Sequence, residues 1–123
     1  MSWAEVRQSR RKKSDGRFRR IEGEFYRKVN MTPQALDRWL NTKESSAAAT
    51  AHNAADAAGH WSGRRTVEIL RKKKSGDYTP EDYAHMRKVI GFVGRHRVRR
   101  PAGDLKASPW RHSLMNWGHD PLK

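Results

Sequence analysis

The chain has 123 residues, no cysteine, and 27 Lys and Arg against 13 Asp and Glu, a net charge of +14. One small domain fits in that length, and the missing cysteines exclude disulfides and thiolate metal sites. No apolar run approaches the roughly 18 residues of a membrane span, and the start has no apolar core of a secretory signal. An intracellular, soluble protein whose partner is a polyanion is the expectation, since charge of this size speaks to partners rather than fold.

The first 20 residues hold eight basic and two acidic side chains. With almost no apolar residue before Phe18, residues 1–17 are expected to form a disordered basic arm. Arg10, Arg11, Lys12 and Lys13 within it suit phosphate contact or a nuclear address. The helical domain is expected over 18–123. Phe18, Ile21, Phe25 and Val29 recur at three- and four-residue steps, an amphipathic helix. Thr32 then reads as an N-cap and Pro33 as a first helical residue whose missing N–H costs nothing. Leu36, Trp39 and Leu40 give that second helix its apolar face, and it should end near Asn41.

Residues 45–60 are alanine-rich. Alanine favours helix, but the stretch offers little large apolar surface, so it reads as a weakly packed helix or a mobile connection, the connection being the expected one of the two. A third helix is expected from Ser62 as cap, with Val67, Ile69 and Leu70 inward and Thr66 extending that side. Arg64, Arg65, Arg71 and Lys72 fall on the opposite side at 100° per residue. Arg64 with Glu68, and Glu68 with Lys72, form i,i+4 pairs that explain some of that charge locally. Ser75, Gly76 and Asp77 should close the helix.

Thr79 and Pro80 repeat the cap-plus-proline start, with Asp82 three residues after the cap. Tyr83, Met86, Val89, Ile90 and Val93 share one face of the helix that follows. Lys88, Arg95 and Arg99 lie on the far side, with His85, Phe92 and His96 at its border. Arg87, Lys88, Arg95, Arg97, Arg99 and Arg100 sit in a stretch, 83–100, with no carboxylate. The helix dipole rewards cations only in the last turn, by ~0.3–1 kcal/mol each. The rest of the cluster asks for negative charge from outside. Pro101 breaks the helix, and Ser108-Pro109 opens a last one bearing Trp110, Leu114 and Trp117, closed by Gly118. That ending is expected to pack on Met86, Ile90 and Val93. With no sustained period-two pattern, the fold class is all-α, four to five helices.

The strings "VNMTPQALDRWL", "SGRRTVEILRKKK", "DYAHMRKVIGFVGRH" and "RHSLMNWGHDPLK" resemble a family of small basic proteins, a domain of unknown function whose members are sometimes labelled DNA-binding. The resemblance covers about Phe25 to Lys123, and the alanine-rich segment departs from the family pattern. Leu36 to Leu40 followed by "SGRRTVEIL" is more loosely similar to the SAP module, a DNA-binding helix–extension–helix. The connection here is longer, and the apolar spacing after Gly63 differs.

The expected function is nucleic-acid binding, chiefly to double-stranded DNA, through phosphates and with low sequence specificity. Its residues are Arg10, Arg11, Lys12, Lys13, Arg64, Arg65, Arg71, Lys72, Lys88, Arg95, Arg99 and Arg100. A non-enzymatic adaptor docking an acidic protein, or an RNA-binding protein, is the alternative. The expected location is cytoplasm or nucleoid, or the nucleus of a eukaryote. Six histidines show no HExxH or paired short spacing, so no metal or other cofactor is expected. His112, Asn116 and His119 match the residue types of a His-Asn-His nuclease but not its spacing. Asp120 could orient a histidine, yet no nucleophile accompanies it, and no enzyme activity is expected. Trp39, Trp110 and Trp117 lie on apolar stripes and read as core. Trp61 has no apolar partner at helical spacing and stands out as a stacking candidate.

Overall fold

The computed structural model describes residues 3–49 and 54–123, with side chains from 16–49 and 58–123. It contains α1 (Trp3–Lys28), α2 (Pro33–Leu40), α3 (Lys43–Ala49), α4 (Ala54–Arg71), α5 (Pro80–His96), a 3-10 turn (Arg97–Arg99) and α6 (Pro109–Asn116). No strand occurs among the described residues, so the chain is all-α, with one helix more than expected. The expectation of a disordered arm falls almost wholly outside the described side chains. The backbone of α1 is helical from Trp3.

Three helices open in the same way. The hydroxyls of Thr32, Thr79 and Ser108 each accept from the backbone N–H three residues on, at 3.1 Å, and a proline follows each cap. The cap satisfies one of the N–H groups that a helix start leaves orphaned, and proline supplies a pre-set φ where no N–H is needed. At Thr79 the device is a full capping box, because Asp82 returns a carboxylate oxygen to the Thr79 N–H at 2.9 Å.

Two expectations are corrected in the middle of the chain. The alanine-rich stretch is helical where described, as α3 and the start of α4. Its small side chains dock by closeness rather than by area: Ser45, Ala48 and Ala49 are buried. Asn116 of α6 holds this helix, donating from Nδ2 to the Ser45 carbonyl at 3.0 Å and accepting from the Ser45 hydroxyl and, at 2.8 Å, from Trp39 Nε1. The segment joining α2 to α4 is therefore helical over α3, not the extension of the looser resemblance. Ser62 is not a cap either. It lies inside α4, buried, beside His85 of α5. Next to it Gly63 lets α4 approach its neighbours: a Cβ there would lie 2.6 Å from Leu40 Cδ2 and against the Asn116 carbonyl.

The core unites all the long helices. Phe25, Leu36, Leu40, Ile69, Met86, Val89, Val93 and Leu114 are buried to 1% exposure or less. Trp110, Leu114 and Trp117 join the same cluster as Met86 and Val93, with Ile90 packed against it. The specific contacts lie further along α5 than expected. Trp117 stacks on Phe92 with centroids 4.3 Å apart, and Trp110 Nε1 donates to the His96 carbonyl at 2.8 Å. Phe92 and His85, placed at the helix border from sequence, are buried. After α6, Gly118 takes φ +92°, a left-handed conformation that glycine adopts without strain, and the chain turns back to α1. There the Asn30 side chain brackets Asp120, donating to its carbonyl at 2.9 Å and accepting from its N–H at 2.7 Å.

Candidate functional site

The basic residues divide by what they touch. Arg65 and Lys72 turn to Asp82, whose side chain is fully buried. Arg65 Nη2 meets Oδ1 at 2.9 Å and Lys72 Nζ meets Oδ2 at 2.8 Å. Burial opposes ionisation of Asp82. The bonds from Lys72 and the Thr79 N–H, with the charges of Lys72 and Arg65, outweigh it and hold the carboxyl below its ordinary range. The i,i+4 pairs expected from sequence do not form. Glu68 pairs with Arg65 at 3.1 Å, three residues back, while Arg64 Nη2 donates to Asn41 Oδ1 at 3.2 Å. The carboxylate that draws in both cations belongs to the next helix, which local spacing could not reveal.

Arg71, Lys88, Arg95, Arg99 and Arg100 are exposed. None of them forms an ion pair with a carboxylate among the described residues. Lys88 and Arg95 stand on the outer face of α5, about 10 Å apart along its axis. Between them lies Gly91, over which the Arg95 guanidinium folds back. Arg99 and Arg100 follow in the 3-10 turn and just beyond it, together with exposed Arg97. Of the expected contact residues, Arg10, Arg11, Lys12 and Lys13 lie outside the described side chains.

Helices α4 and α5 run antiparallel, as the pairings of Lys72 and Arg65 with Asp82 and of Ser62 with His85 show. A groove of about 680 Å³ lies along their outer seam, bounded by Trp61, Arg64, Arg65, Glu68, Glu81, Ala84, His85 and Lys88. Trp61 is 64% exposed. Its ring makes an edge-to-face contact with His85, centroids 5.8 Å apart. His85 forms the floor, its Nε2 within 3.2 Å of both the Ser62 carbonyl and hydroxyl and 3.3 Å from the Thr66 hydroxyl. Burial, aided by the charges of Arg65 and Lys88 against the Ser62 carbonyl bond, pushes the imidazole down to about 4. It is neutral at pH 7, so it adds no charge to the groove and keeps its hydrogen bonds to α4.

The other polar residues singled out in the sequence serve packing. Asp120 holds Arg111 through both carboxylate oxygens, at 3.1 and 3.0 Å, and does not orient a histidine. His119 Nδ1 bonds the Lys28 carbonyl, His112 lies against Trp39, and Asn116 is the buried tie to α3. His60 Nε2 donates to the Leu40 carbonyl at 2.7 Å, closing the end of α2. Among the described residues, no three His, Asp or Glu side chains come together as a metal site, and no helix is long and apolar enough to cross a membrane. Sequence reasoning missed Arg111–Asp120 and the Tyr83–Glu22 hydrogen bond, which link residues whose neighbourhood only the tertiary fold creates.

The family described as "Protein of unknown function (DUF3140)" matches residues 24–115. The match ends at Met115, inside the last of the four strings, so residues 116–123 lie beyond it. No curated protein and no solved structure matches the chain.

Proposed function

The chain belongs to that family, and we propose that it binds nucleic acid, chiefly duplex DNA, through phosphate contacts with little sequence preference and without catalysis. One observation carries the reading: Lys88, Arg95, Arg99 and Arg100 are exposed along α5 and its 3-10 extension with no carboxylate paired to them among the described residues. Like charges held in a row repel, and a phosphate backbone relieves that repulsion while releasing its condensed counterions. The central contact set is therefore Lys88, Arg95, Arg99 and Arg100, with Arg64 and Arg71 at its margin. Arg65 and Lys72 serve the fold. A nucleoid or nuclear location accords with this partner.

The test replaces Lys88, Arg95, Arg99 and Arg100 together with glutamine and measures duplex affinity over a range of salt. Each lost phosphate contact lowers the slope of log affinity on log salt by about 0.9, so a loss of up to roughly 3–4 is expected. Equal slopes for parent and variant would remove these residues from the interface. Parent binding to an acidic protein with no duplex affinity would favour the adaptor. Preference for RNA over DNA of the same length would replace the DNA assignment.

A further inference from the structure

Trp61 has no role in the core. Its ring stands 64% exposed on the outer face of α4, the most exposed of the large aromatic residues described. One edge of it is nonetheless in contact: the ring meets His85 edge to face, centroids 5.8 Å apart, and His85 is hydrogen-bonded to Ser62 and Thr66. A solvent-facing indole with one such neighbour is a stacking platform that gives up less freedom when a ligand arrives.

Its surroundings say what would stack there. Arg64 and Lys88 flank the ring from the two helices, and Ala84 leaves the wall of α5 low beside it. Two carboxylates line the same groove, and both lie towards the α4–α5 turn: Glu68, tied to Arg65 at 3.1 Å, and Glu81 in the first turn of α5. Because the helices are antiparallel, Trp61 and Lys88 lie at the opposite end. From there the outer face of α5 continues through Gly91 to Arg95. The groove thus carries its carboxylates at one end, Glu68 already paired with Arg65, and leads at the other into cations with no carboxylate partner among the described residues. A ligand with a flat ring for Trp61 and successive negative charges for Lys88 and Arg95 fits that gradient.

Resting on the nucleic-acid reading above, we propose that Trp61 stacks on one unpaired nucleobase while the adjoining phosphates follow Lys88 and Arg95, away from Glu68 and Glu81. The groove then prefers single-stranded segments, or bases displaced from a duplex, over fully paired DNA. Aromatic stacking is sequence-tolerant, because every base has a π-face, so this preference adds no target sequence.

The experiment uses the full chain with three probes: a 12-nucleotide thymidine strand, an abasic strand of the same length, and a 12-base-pair duplex. Trp61→Ala should weaken binding to the thymidine strand roughly 5- to 150-fold. The abasic strand and the duplex should change by less than about twofold, since their phosphate contacts are untouched. Trp61→Phe should restore most of the loss. Circular dichroism should be the same for all forms, because an exposed side chain is removed. Equal losses on the thymidine and abasic strands, or no loss on either, overturn the stacking role while duplex binding by the parent keeps the phosphate reading intact. A parent that binds no probe at all overturns both. Loss of binding to polyaspartate instead makes the groove a dock for acidic protein. A parent dimer dissolved by Trp61→Ala makes it a self-association surface.

Discussion

Lys72 and Lys88 carry the same ammonium group, and each stands beside the seam between α4 and α5. Lys72 reaches inward to the fully buried Asp82 and shares it with Arg65. Lys88 points outward, and beyond it Arg95 and the arginines of the 3-10 turn face solvent. The first region uses positive charge to neutralise a carboxylate that also caps a helix. The second holds positive charge with no carboxylate paired to it among the described residues. A net charge says how many cations a protein has, but only their partners say which of them remain for another molecule.

The contrast breaks most severely at Asp82. Asp82→Ala removes the capping box and strands Arg65 and Lys72, and should lower stability by about 3 kcal/mol in urea unfolding. Acid should act in the same direction. The folded carboxyl titrates below its unfolded value of ~3.9, so its contribution is complete above about pH 4 and is lost as pH falls through the folded value. The alanine variant should lack that part of the acid loss.

A neighbouring prediction separates Asp82 from His85. The folded imidazole titrates at about 4, below the unfolded ~6.5. Its contribution is therefore whole above the unfolded value and falls between about pH 6.5 and 4, by about 3 kcal/mol. Parallel unfolding curves at pH 7 and 5 should show the onset, and the His85 ring resonances should still report a neutral imidazole at pH 5. A ring that titrates near 6.5 would mean that the floor of the groove is open to water.

Lys72→Gln sharpens the comparison. It leaves a buried carboxylate with one cation fewer and should cost about 2 kcal/mol, with little change in the salt dependence of the proposed DNA binding. Lys88→Gln and Arg95→Gln should do the reverse: stability within about 0.5 kcal/mol of the parent, and a shallower salt slope. If Lys72→Gln proved as mild as Lys88→Gln, the division between inward and outward cations would collapse.

Much of the scaffold was legible because its signals are local. The hydroxyl–proline starts at Thr32, Thr79 and Ser108 need only the next few residues, and the stripes through Phe25 and Met86 need only helical spacing. Ser62 deceived for the same reason. A serine before a basic helix looks like a cap, and its real surroundings, His85 and the close approach at Gly63, come from other helices. Alanine-rich α3 is hard to read from sequence because large apolar surface is not the only route to burial: Ser45 and Ala48 dock by letting α6 come near. At the candidate site, residue type marked the exposed cations of α5 correctly as charge, and Trp61 as an aromatic without a place in the core. It could not show that Arg65 and Lys72 pair with Asp82, because Asp82 reads from sequence as a capping residue alone.

The bracket that Asn30 places around Asp120 has a kinetic meaning. It joins residues 90 apart in sequence, and Lys123 Nζ adds a bond to the Asn30 carbonyl across 93. Closing so long a loop is entropically unfavourable until intervening helices have already gathered its ends. The bracket should therefore be among the last features to form on refolding and the first to open in the native state. The amide of Asp120, which donates to Asn30, should exchange with solvent faster than those at the centre of α5, through an opening that leaves the rest of the bundle closed. In effect, α1 and the tail make a clasp that can loosen without undoing what it fastens.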